Sequence, residues 1–149
     1  MLSKQQIYQK CEVILTERIE RIQQEIALVQ ASANEETKSS AGDKYETGRA
    51  MAQLEVERNR QQLIEAEKLF NRLHEFQHVQ VGRQVVPGAL VNTSAGSFYI
   101  GVSLGQIELN EQHCFCVSPE APIAKALMGL TAGDETNFNG KPIRVLEVS

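Results

Sequence analysis

Two groups of side chains in this sequence have types and spacings that could do chemistry. His113, Cys114 and Cys116, with His74 and His78 elsewhere, are the soft and borderline metal ligands. Glu35, Glu36, Asp43 and Glu46 are hard oxygen donors set close together. Cys-x-Cys in a strand points both thiols to one face, and no second pair stands at a zinc-like spacing, so packing is expected there and no stably bound metal. A nucleophilic thiol would also need a base and oxyanion donors in a cleft. The glycine-bearing stretches Val86–Leu90, Asn92–Ser97 and Ser103–Gln106 match neither a Walker loop nor a dinucleotide fingerprint. The chain is therefore not expected to be an enzyme in its own right.

The acids can be read in two ways. Asp43 and Glu46 suit a helix N-terminus, where carboxylates meet the positive end of the dipole. Carboxylates gathered at an exposed bend also suit Mg²⁺, which takes one or two of them and completes its shell from substrate and water.

The elements that must position them follow from periodicity. From Ser3 to about Ala31 the apolar residues Leu15, Ile19, Ile22, Ile26 and Val29 recur at steps of four and three, as in a coiled-coil seam. A second run, from about Asp43 to His78, places Ala52, Val56, Asn59, Leu63, Ala66, Phe70 and Leu73 at the same steps. Two such stripes joined by polar and small residues are expected to fold back as an antiparallel hairpin over 1–78, with its tip near 32–48. A helix of about 35 residues is on the order of 50 Å long, which suggests a projecting arm. Asn59 in the seam either fixes the register of pairing or is a slightly wet position.

Beyond Gln77 the pattern changes to short runs rich in Val, Ile, Phe and Tyr, bounded by Gly, Pro, Asn and Ser. These predict an antiparallel sheet over 79–149. A short helix is expected after Ser118 as N-cap, ended by Gly129, and Asn139-Gly140 is expected to turn a hairpin. The fold class expected is thus α+β: a long N-terminal antiparallel coiled-coil hairpin, then a small antiparallel-sheet domain with one short helix.

Composition sets bounds. The chain has 149 residues, 42% of them hydrophobic and 5% aromatic, which supports an aliphatic core. A formal net charge of -4 argues against binding bare nucleic acid. No run of about 18 apolar residues and no signal-peptide pattern is seen, so a cytoplasmic protein without membrane contact is expected. Three cysteines do not make a disulfide framework in a chain of this size.

Ser118-Pro119, Ala126-Leu127, Gly129 and Gly133-Asp134 fall close to a pattern Ser-Pro … Ala-Leu-x-Gly-x-x-x-Gly-Asp followed by a closing strand. With the coiled coil before them and the tyrosine-bearing Phe98–Ser103, they resemble the bacterial Gre transcript-cleavage factors. The resemblance implies an FKBP-like fold in the C-terminal domain. It also implies a partner, bacterial RNA polymerase, with the coiled coil entering its secondary channel, in indirect contact with RNA and near DNA.

The family's tip carries Asp-x-x-Glu-Asn-x-Glu-Tyr, whose first two acids help hold a Mg²⁺ shared with the polymerase. With Tyr45 matched to the motif's Tyr, the acidic positions fall on Lys38, Ala41 and Lys44, and none is acidic. An ammonium there would repel the ion. Three readings follow. One is a Gre-like polymerase regulator with lost or altered cleavage stimulation, its tip contacts made by Glu35, Glu36, Lys38, Lys44, Tyr45 and Arg49. Another is an active cleavage factor whose carboxylates have moved to Asp43 and Glu46. The third is a helical-hairpin module with a different partner.

Overall fold

The computed structural model describes residues 2–39 and 43–149; the side chains at 35–46 lie outside that description. Helix α1 spans Lys4–Ser39 and α2 spans Asp43–Glu75. Strands β1 (Leu90–Thr93), β2 (Gly96–Ile100), β3 (Gly105–Leu109) and β4 (Gln112–Val117) follow, then α3 (Pro122–Leu127), β5 (Glu135–Phe138) and β6 (Lys141–Val148). This is the α+β arrangement expected. The chain packs as two compact units, one of Met1–Val13 with Asn71–Ser149, the other of Ile14–Phe70.

The helical unit is built on the anticipated seam. Leu15, Ile22, Val56, Asn59 and Ala66 are buried, while Ile19, Ile26, Val29, Ala52, Leu63 and Phe70 are half-buried. Not one of these seam positions is exposed. Arg18 and Leu69 line one groove and Ala33 and Gly48 another, so the helices run antiparallel. Helix α1 continues past Ala31 to Ser39, because "SANEETKS" contains neither Gly nor Pro to stop it.

The other unit holds a six-stranded sheet in the order β3-β4-β2-β1-β6-β5. The sheet is mixed, which corrects the antiparallel expectation: β2 pairs β4 in parallel, through Phe98↔Phe115, Tyr99↔Cys116 and Ile100↔Val117. The reason is topological. The connection after β2 is wide enough to leave a gap, and the β3-β4 hairpin fills it with β4, so β3 becomes the edge. Phe98 and Phe115 stack across that parallel pair with ring centroids 5.5 Å apart.

Two hairpins close with left-handed residues, at Asn139-Gly140 (φ 52° and 77°) and at Asn110-Glu111 (φ 52° and 63°). Both φ pairs fit the mirror-image turns that match strand twist. Only the first carries the Asn-Gly signature, which is why β3 escapes a reading by composition. One sheet face forms a core with α3, comprising Val85, Ala89, Val91, Phe98, Ile100, Ala124, Leu127, Ile143 and Val145. The alternation of β4 puts Cys114 and Cys116 on the opposite face from Phe115, with both thiols buried.

Candidate functional site

The residues singled out near the bend are the first candidates. Asp43 is the first residue of α2, and Glu35, Glu36 and Lys38 lie in the last turns of α1. The side chains of Glu35, Glu36, Lys38, Asp43, Lys44, Tyr45 and Glu46 lie outside the described residues, as does Ala41.

Arg49 is described: it is exposed, already engaged with a neighbour, and lines a groove with Gln30, Asn34, Gln53 and Arg60. A second groove is lined by Leu28, Met51, Leu54, Glu55 and Arg58. Ala33 and Ala52 border both, so the two grooves flank the seam. One side offers guanidinium and amide donors. The other offers Leu28, Met51 and Leu54, which are 68%, 63% and 63% exposed.

The closing motif turns out to shape the chain. The Ser118 carbonyl accepts from the Ala121 N–H at 3.0 Å, making a turn, and the helix starts only at Pro122. The N-cap is Ala121, in extended conformation (φ −62°, ψ 145°) with no side-chain cap, which corrects the expectation for Ser118. Pro122 explains it: proline is at home in the first helical turn and pushes the residue before it out of the helical region. Pro119 is half-buried within that turn, as is Ala126 in α3, and Leu127 is fully buried.

Gly129 and Gly133 take φ of 82° and 96°, which only glycine adopts freely. Their N–H groups donate to the carbonyls of Val85 and Val145. Asp134 accepts at Oδ2 from the Thr131 N–H (2.8 Å) and hydroxyl (3.1 Å), pinning the loop that leads into β5. Beside Pro119, the exposed Glu120 pairs with Arg72 of α2. The Arg72 hydrogen bond holds the Glu120 carboxyl below its ordinary pKa.

Sequence reasoning missed a third constellation, in the sheet-bearing unit. Cys11 on α1 and Cys116 on β4 bring their Sγ atoms to 3.5 Å. Cys114 lies on the same strand face, and all three thiols are free and buried. Tyr8 and Tyr99 pack nearby, each with a buried hydroxyl that has no hydrogen-bond partner among the described residues. Burial raises the Tyr99 phenol well above its ordinary pKa, and the neighbouring thiols add to this. The Cys116 thiol is pushed strongly upward by Cys11, Cys114 and burial, whereas hydrogen bonding from Cys116 lowers Cys114.

A signal for Cys11 did exist. Tyr8 and Cys11 continue the three-four stepping of the seam backward from Leu15. What the sequence lacks is any sign that this extension meets β4.

The histidines do not join the thiols. His74 Nε2 lies 3.2 Å from Glu12 Oε2 with its ring edge-on to Tyr8, and His113 pairs in register with Glu108 on the exposed side of the β3-β4 hairpin. Among the described residues no group of three or more His, Cys, Asp or Glu could hold a metal ion, and no helix is long and apolar enough to cross a membrane. No family model and no curated protein sequence matches the chain.

Proposed function

We propose that the protein is a Gre-like regulator that binds bacterial RNA polymerase through the secondary channel and modulates transcription in the cytoplasm, with lost or altered stimulation of transcript cleavage. The observation that carries this reading is the pairing of two features in one chain. One is a heptad-seamed hairpin with helices of 36 and 33 residues, each about 50 Å long. The other is a closing segment, Ser118 to Asp134, whose Gly129, Gly133 and Asp134 set the chain path into the last hairpin.

The regulator reading is preferred over cleavage because Lys38, Ala41 and Lys44 stand where the family pattern has acids. Any catalysis would belong to the polymerase, with this chain lending ligands to its Mg²⁺. The cleavage reading is kept as the alternative because Asp43 and Glu46 are acids beside the bend, although the place of Asp43 as the first residue of α2 equally suits a carboxylate at a helix N-terminus.

The test is capture of core RNA polymerase by the purified protein, followed by a cleavage assay on a stalled, backtracked complex with Mg²⁺. Binding without RNA shortening is the expected result. Failure to bind sinks both polymerase readings and leaves the hairpin as a module for another partner. If shortening occurs, Asp43→Ala with Glu46→Ala should abolish it while binding persists.

A further inference from the structure

Cys11 and Cys116 are separated by 105 residues in sequence, yet their sulfurs are 3.5 Å apart, close to van der Waals contact. A disulfide requires about 2.0 Å, so roughly 1.5 Å of approach remains. Cys114 is a poorer partner for Cys116. Residues two apart on a strand are about 6.6 Å apart and project their side chains in parallel, at the edge of what a disulfide spans.

Burial and the neighbouring thiols hold the proton on Cys116, so the closeness of the two sulfurs, and not a standing thiolate, carries the pairing. The hydroxyls of Tyr8 and Tyr99 are buried beside the cluster, with no hydrogen-bond partner among the described residues. Both are held neutral, since burial raises their pKa values, so each keeps its proton to donate. The two tyrosines also line a cavity of about 320 Å³ with Lys4, Gln5, Phe76 and His78, which brings small solutes within one side chain of the cluster.

We infer that Cys11 and Cys116 form a reversible dithiol–disulfide pair, oxidised by a peroxide, whose bond fastens the first turns of α1 to β4. One thiol loses its proton and attacks a peroxide oxygen, giving a sulfenic acid and, with hydrogen peroxide, one water. The second thiol attacks that sulfur, the S–O bond breaks, and a second water leaves. Two thiols and one hydrogen peroxide thus give one disulfide and two waters, with two electrons passing from sulfur to oxygen. A thiol reductant reverses the step by exchange. Cys114 remains a thiol throughout.

The experiment uses the full chain, reduced and then treated with a small excess of hydrogen peroxide. Thiols titrated after denaturation should fall from three to one, the mass should drop by about 2 Da, and dithiothreitol should restore both. Cleavage after Phe115 separates the two cysteines of β4, and the linked peptide should join Cys11 to Cys116. The oxidised monomer should melt about 5 °C or more above the reduced one, because the bond closes a long loop. Cys114→Ser should still form the link, and Cys11→Ser should not. If Cys11→Ser fails to fold, the wild-type peptide map decides. A Cys114–Cys116 link, a link between chains, persistence of three thiols, or a lower melting point on oxidation would each overturn the inference.

Discussion

The two units bury apolar surface by different means. The sheet-bearing unit closes a core in which Leu127, Val145, Ile100 and Val91 are all 0% exposed. Among the described residues of the helical unit Leu15 alone reaches that figure, and most seam positions remain half-open. Two helices have one stripe each to cover, whereas a sheet under a helix encloses side chains from three directions. The difference teaches where stability and where surface chemistry reside. The sheet unit can lose little from its interior, while the hairpin spends much of its surface on exposed side chains such as Leu28, Met51 and Leu54.

Truncation should expose that contrast most strongly. Leu127→Ala removes a fully buried side chain and is expected to cost about 3 kcal/mol, as core Leu→Ala changes do. Leu63→Ala, half-buried in the seam, should cost on the order of 1.5 kcal/mol. Urea denaturation of both variants provides the check. Equal losses would mean that the hairpin is packed as tightly as the sheet core, against the burial observed.

A smaller effect of opposite sign is expected at Asn59, a seam residue 7% exposed. A polar residue at such a position lowers stability but restricts how helices pair. Asn59→Val should raise the stability of the helical unit by about 1 kcal/mol. It should also broaden the pairing, seen as higher oligomers in light scattering. A stable variant that stays in the wild-type association state would show that Asn59 is only a wet seam position.

These contrasts were unequally legible. The seam could be read because a heptad stripe is local: each of its steps lies within four residues, and Leu15 to Val29 and Ala52 to Leu73 fall on the interior side without exception. Strand β3 was not, since "GQIEL" carries only two apolar residues and its turn, Asn110-Glu111, lacks a glycine. The parallel β2-β4 pairing was hidden because the insertion of β4 beside β2 is a non-local choice that no run of residues announces. Ser118 misled as a cap because the backbone constraint from Pro122, four residues on, outweighs its side-chain preference. Cys11 and Cys116 illustrate the same limit at the site. Each lay on a readable face, but only the tertiary fold brings the faces together.

The least of the expected effects concerns the ion pair of Arg72 and Glu120, both in the sheet-bearing unit. Its sign follows from the direction of the shift. The folded state holds the Glu120 carboxyl below its ordinary value of 4.5, with the Arg72 hydrogen bond as the main cause. The unfolded chain therefore binds the proton more readily, and the pair's contribution is fully present above that ordinary value. It is lost as pH falls through the depressed folded value. Because Glu120 is solvent-exposed, the contribution is small and is screened by salt. Glu120→Gln should leave a melting curve that depends less on pH on the acid side of about 4.5, and should resemble wild type in high salt. If the variant instead keeps the wild-type acid dependence, other carboxylates govern it and the Arg72 pair holds nothing in place.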